Sequence, residues 1–223
     1  MPAISTSWLI CVTVLVLCAC SPADNSGSSN ALGNASADGN KEGKPDDAMD
    51  GPFGIAMGSP IAEVEDAKAL DKPGFYQVAS PPKGHPDFES VVLIAYPQTG
   101  ICLIRGIGKN LESDGAGIEI RSKVDNLAAA LDTKYGKSEK ADACAGGDVQ
   151  CSGEFWMMTM SGGERAYAYQ WNKPTNATKI GIGEITVAAQ AADIQTSYPI
   201  LEFRSNNKDA CLKAERSASA SSL

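Results

Sequence analysis

The sequence predicts an α+β domain in which an antiparallel sheet of hairpins packs against one main helix and one short helix. Three observations carry that expectation. Candidate strands follow one another across short polar turns, with no strand–helix–strand alternation. One long stretch, Ile118 to Tyr135, has its apolar residues at helical spacing. The residues beyond the N-terminal region hold an even set of cysteines, Cys102, Cys144, Cys151 and Cys211, which reads as a disulfide framework.

The chain opens with an apolar run, Leu9 to Leu17. It is too short for a bilayer-spanning helix, which needs roughly 20 residues. It has the length of a signal-peptide core, and small residues follow it. Leu17-Cys18-Ala19-Cys20 resembles the lipobox of bacterial lipoproteins, with an aliphatic at −3, a small residue at −1 and Cys at +1. The resemblance implies a leader over residues 1–19. Cys20 is then the first mature residue, with a diacylglycerol on its thiol and usually a further acyl chain, such as palmitate, on its amine. Chains in that number hold a protein on a membrane without further contacts. Two features depart from the pattern: Cys18 stands at −2, and Met1 to Trp8 contain no Lys or Arg. The alternative is an ordinary secretory leader cut after Ala19. Ser21, rather than Asp, after the cysteine resembles lipoproteins directed to the outer membrane.

Residues 20–50 form a lipidated cysteine plus linker on this reading. Ser, Gly, Asn, Ala and Asp dominate, and Leu32 and Met49 are the only large apolar side chains. Such a segment buries too little surface to offset its chain entropy, so disorder is expected. Residues 51–213 are expected to be a single globular domain, and the Ser/Ala-rich residues 214–223 a disordered tail.

Within the domain, Ser59 and Pro60 fit the first two positions of a short helix over Ile61 to Leu70. The stretch from Gly54 to Val64, G-I-x-M-G-S-x-x-x-E-V, is similar to the opening of small outer-membrane assembly lipoproteins and of beta-lactamase-inhibitor-like modules. That likeness implies an α+β interaction module and transfers no functional residue. Phe75 to Ser80 is a candidate strand, and three prolines make residues 81–86 a loop. Phe88 to Tyr96 is apolar on both faces, as a central strand is, and Ile101 to Ile107 returns across a four-residue turn. Ile120, Val124, Leu127, Leu131 and Tyr135 line one face of the main helix, which Gly136 should stop. Phe155 to Met160 and Arg165 to Trp171 read as a hairpin, with Ile180 to Ala189 and Tyr198 to Arg204 completing four consecutive strands. The opening motif, Lys134-Tyr135-Gly136 and Leu201-x-Phe203 together resemble a group of uncharacterised bacterial exported proteins, and no activity comes with that resemblance.

Cys144 and Cys151 flank a short polar loop, so they pair with each other, leaving Cys102 for Cys211. Chain entropy assigns about 2.5 kcal/mol to the small ring and about 4.8 kcal/mol to the large one. A four-cysteine zinc site is the alternative, but zinc ligands come as C-x₂₋₄-C pairs and none is present. No metal and no cofactor is expected.

The formal net charge of −8 argues against nucleic acid as a partner. His85 is the single histidine, in the proline-rich loop, with no G-x-S-x-G elbow elsewhere to supply a nucleophile. Ser80-x-x-Lys83 and Ser205-x-x-Lys208 have the S-x-x-K spacing, but prolines deny the first a helix and the second lacks its companion motifs. Gly106-Ile107-Gly108-Lys109 and Gly181-Ile182-Gly183 lack a phosphate-binding context. No catalytic residue emerges.

Tyr167, Tyr169 and Trp171 alternate along one strand face. They read either as a binding platform or as core beneath the Ile118–Tyr135 helix. The expectation is therefore a cell-envelope lipoprotein on the periplasmic face of the outer membrane. Its partners would be the membrane, through its lipid, and an envelope protein or cell-wall component. A periplasmic hydrolase using carboxylates and an inhibitor of an exported enzyme are the alternatives.

Overall fold

The computed structural model describes residues 51–220. The leader, Leu17 to Cys20 and the linker over residues 20–50 lie outside the described residues, as do residues 221–223.

The strands are β1 (Lys68–Ala69), β2 (Phe75–Val78), β3 (Phe88–Tyr96), β4 (Gly100–Gly108) and β5 (Leu111–Glu112), then β6 (Glu139–Cys144), β7 (Arg165–Trp171), β8 (Ile182–Ala191) and β9 (Thr196–Ser205). They form one sheet in the order β1-β2-β3-β4-β9-β8-β7-β6, with β5 pairing β9. All the pairings are antiparallel. The arrangement is two meanders, β1 to β4 and β6 to β9, joined where β4 pairs β9. The helix α1 (Ile118–Tyr135) connects them and lies against β7, β8 and β9. A shorter helix, α2 (Trp156–Ser161), packs on β7 and β8, and α3 (Lys208–Ala220) packs on β3 and β9. The molecule is α+β, as its hairpins and main helix predict.

Side-chain alternation sorts the two faces of the sheet. Val91, Leu93 and Ala95 of β3 enter the main core with Ile120, Val124 and Leu127 of α1. Ile94 and Tyr96 point the other way, to Cys211, Ala214 and Ala218 of α3. The expected bounds of β3 and α1 are the observed ones. Gly136 ends α1 at φ 85°, its N–H donating to the Asp132 carbonyl. At the other end Gly117, at φ 61°, lies where a Cβ would come within 2.3 Å of the Trp156 ring, so only glycine fits.

Four expectations are corrected. Ile61 to Leu70 is not a helix: a 3₁₀ turn, Ile61–Glu63, is followed by a left-handed Asp66 and then β1. Phe155 to Met160 is not a strand, because Trp156, Met157, Thr159 and Met160 are buried while Met158 is exposed, which is helical spacing. The unbranched methionines favour α2, and the Thr159 hydroxyl donates back to the Phe155 and Trp156 carbonyls. The strand beside β7 is instead β6, whose exposed Glu-Lys-Ala-Asp-Ala run carries no apolar alternation. The tail is not frayed over residues 214–220: it belongs to α3, held by the Cys211 bridge and by Ala214 packed on Tyr96.

Both bridges form, Cys102–Cys211 over a separation of 109 residues and Cys144–Cys151 over 7. They mark a protein exported to an oxidising compartment. No helix among the described residues is long and apolar enough to cross a membrane.

Candidate functional site

The alternating aromatics of β7 face α1, which favours the core reading over the platform. Tyr167 is 1 % exposed and Trp171 3 %, while Tyr169 is half-buried. Their polar tips are all engaged. Both phenols donate to Asp125 Oδ1 on α1, Tyr167 at 2.6 Å and Tyr169 at 2.8 Å. Lys140 of β6 donates to the Tyr167 oxygen at 2.7 Å and sits 3.5 Å from the same carboxylate. Trp171 Nε1 donates to the Gly136 carbonyl at 2.7 Å.

This clamp joins α1, β6 and β7 and leaves little for chemistry. Burial alone would raise the Asp125 carboxyl, but the two phenols and Lys140 outweigh it and hold the group below its ordinary value. Burial, then the bond to Asp125, pushes the Tyr167 phenol up, so it is no ready phenolate. Burial opposes the charge on Lys140, yet its bonds to Tyr167 and Tyr169 raise its pKa. A general acid at neutral pH needs a raised carboxyl. Among the described residues Asp125 and Asp193 are the carboxyls clearly displaced by the fold, and both are displaced downward.

The remaining sequence motifs have local structural explanations. A Cβ on Gly106 would meet the Phe53 ring at 2.5 Å, and one on Gly108 would meet Pro199 at 2.4 Å, so these glycines serve close packing. Ser205 Oγ accepts the Asn207 N–H just before α3 begins. Among the described residues no group of His, Cys, Asp and Glu is arranged to hold a metal ion. Cys102, Cys144, Cys151 and Cys211 are all spent in bridges, which excludes the four-cysteine zinc alternative.

A cleft lies at the C-terminal end of α1. Here the start of the domain, the proline loop, the helix end and β9 surround its volume of about 360 Å³. Its lip is built from the sequence upward. Phe53 and Gly54 adopt left-handed backbone, φ 58° and 75°, turning the chain back on itself. The turn is pressed against the loop, since a Cβ on Gly54 would come 3.0 Å from Pro82 and 3.1 Å from the Lys83 nitrogen. The Lys83 N–H donates to the Phe53 carbonyl at 3.0 Å. The Phe88 ring meets both Phe53 and His85 edge-on, with centroids 5.4 Å apart in each case.

The opposite wall is equally fixed. Thr175 N–H donates to the Tyr135 carbonyl at 2.9 Å, holding the helix end down. The Tyr135 ring meets Phe203 edge-on at 6.3 Å, and Leu201 lies along the same strand face. Leu131 and Ile180, both half-buried, complete an apolar floor. Lys83, His85 and Lys134 stand on the lip, and no acidic side chain lines the cleft. The His85 Nδ1 accepts the Asp87 N–H at 3.2 Å, which leaves Nε2 as the ring's donor. Lys134 rests 5.1 Å from the centre of the Tyr135 ring.

Other hollows offer less. One beneath α3, beside Tyr96 and Cys102, holds about 70 Å³. Another beside the β3–β4 turn holds about 440 Å³ but has no charged side chain in its lining.

His85, the single histidine of the proline-rich loop, is exposed and borders the cleft. The cleft itself had no sequence signal, because its lining comes from five separate stretches of chain. No protein-family model, no curated protein and no solved structure matches this chain.

Proposed function

We propose that this protein is a lipid-anchored component of the bacterial cell envelope whose domain binds a target rather than transforming one, with the cleft at the end of α1 as its binding site. The observation that carries the binding reading is the contrast between saturated polar groups in the clamp and an open, apolar, cation-lipped cleft. Pockets that take small molecules are mostly apolar, with a few convergent polar groups, and span about 300–1,000 Å³. The anchor is supported by Leu17-Cys18-Ala19-Cys20 after an apolar run and by a polar spacer before the domain. The two disulfides support an exported location, and the outer membrane is favoured by Ser21.

Two measurements test this. Mass spectrometry of the mature chain should find an acylated Cys20 at the N-terminus, and Cys20→Ser should release the protein from the membrane fraction. An unmodified Cys20 removes the anchor. Native mass spectrometry of the Cys20→Ser chain recovered from envelope extract should carry a small bound molecule. Leu131→Trp, which fills the cleft, should lose it; retention by that variant removes the cleft as the site.

The inhibitor reading keeps one observation. Val149, 72 % exposed, projects from the loop closed by Cys144–Cys151, with Phe155 and Met158 exposed just after it. A short, covalently closed loop suits insertion into an enzyme. Val149→Asp should abolish inhibition of the target enzyme if that reading holds.

A further inference from the structure

We infer that the cleft takes a small amphiphilic anion: an aliphatic or single-ring body carrying one carboxylate or comparable anionic head. This rests on the reading of the cleft as the binding site and specifies what enters it. The lining sorts ligand classes by what it contains and what it lacks. Phe53, Leu131, Tyr135, Leu201 and Phe203 provide an apolar floor, so the buried part of the ligand is apolar. No Asp, Glu, Asn, Gln, Ser or Thr side chain lines the cleft. A saccharide needs several such side chains to satisfy its hydroxyls, and leaving them unpaired in a cleft is costly. The same deficit argues against a polar peptide.

Charge selects the head group. Lys83 and Lys134 line the cleft with no acidic side chain among the lining residues, in a protein whose formal net charge is −8, while His85 has the Asp87 carboxylate 3.9 Å away. The neighbouring cation Lys123 is neutralised by Asp87 at 2.8 Å. Lys134, by contrast, makes no ion pair with any described residue and has only the Tyr135 ring beside it. The Lys134 side chain is exposed, so its ammonium orients an anionic head by a salt-sensitive attraction while the apolar lining supplies the burial. Size sets the last limit. About 360 Å³ matches one ring or a medium-length chain.

The test uses the full mature chain carrying Cys20→Ser, with decanoate below its micellar concentration as the probe. Decanol and decyltrimethylammonium serve as neutral and cationic counterparts, and acetate serves as the head alone. Titration calorimetry should detect decanoate binding that weakens at least tenfold in decanol, in decyltrimethylammonium and in Lys134→Glu, and that weakens with added salt. Lys134→Arg should retain it, acetate should not bind, and unchanged melting of Lys134→Glu shows that the variant is folded. Decanol binding as tightly as decanoate, with Lys134→Glu unaffected, overturns the anionic head while the cleft remains a binding site. No binding of any ten-carbon probe overturns the inference, whereas the cleft reading is decided separately by the Leu131→Trp recovery experiment.

Discussion

At its N-terminal half α1 meets two tyrosines and a lysine around Asp125; at its C-terminal end it meets aromatic rings and lysines around a cleft. The ingredients are alike, and the difference is one carboxylate. In the clamp Asp125 accepts from both phenols and attracts Lys140, so each charge and hydroxyl has a partner within the fold. No acidic side chain lines the cleft, and Lys134 makes no ion pair with any described residue, so its charge is directed to solvent or to a ligand. A closed network stabilises the fold, while an open one leaves interaction energy for a partner. The same helix therefore divides its length between holding the sheet and presenting a site.

That division makes unequal predictions for the two ends. The largest effect should come from Tyr167→Ala, which removes a buried ring packed edge-on against Trp156. Denaturant unfolding should register a loss of about 3–5 kcal/mol, the usual cost of deleting a large buried aromatic. Next is the paired change Cys144→Ala with Cys151→Ala. This bridge steadies the loop from which the Cys151 carbonyl accepts Arg165 at 2.8 Å, and unfolding should show a loss of about 2.5 kcal/mol.

At the cleft end, Gly54→Ala places a side chain on left-handed backbone against Pro82. It should cost about 1–2 kcal/mol and also weaken ligand binding, because the Lys83 side of the lip must move.

Titration of the clamp acts with opposite signs at its acid and its base. The Tyr167 and Lys140 pKa values are raised above their ordinary values of 10.0 and 10.5, so the folded state retains protons that the unfolded chain releases. Their contribution is complete below about pH 10 and is lost as pH rises through the folded values. Asp125 is lowered from 3.8, so its contribution is present above that pH and is lost as pH falls through the folded value. Lys140→Met should flatten the alkaline fall in melting temperature. A fall of unchanged steepness would detach Lys140 from the clamp. The smallest stability effect belongs to Lys134→Glu, at most about 0.5 kcal/mol for an exposed side chain without an ion pair. A larger loss would mean that the lip is structural after all.

How much of this was legible in the sequence follows from where the information is local. The apolar spacing from Ile120 to Tyr135 and the stop at Gly136 define α1 without help from the rest of the fold. Phe88 to Tyr96 likewise declares a strand buried on both faces. The cysteine pairing could be read from the seven-residue separation of one pair, with the other left by elimination. In contrast, β6 is a strand because β7 offers it an edge, and its own residues carry no such pattern. Met157 and Met160 suit a strand or a helix, and contact with β7 and β8 decides for the helix. The clamp was half visible: alternation placed Tyr167, Tyr169 and Trp171 on one face, but only the fold brings Asp125 and Lys140 to them. The cleft was invisible because Phe53, His85, Lys134 and Phe203 meet only after the two meanders join.

The central claim is that ligand enters at the C-terminal end of α1 and leaves the clamp undisturbed. Methyl-resolved NMR of the Cys20→Ser chain titrated with decanoate tests it most directly. Shifts of the Leu131, Ile180 and Leu201 methyls, with Ile120 and Val124 unmoved, are the predicted result. Saturable shifts confined to Ile120 and Val124, or no shift at the three cleft residues, would contradict it.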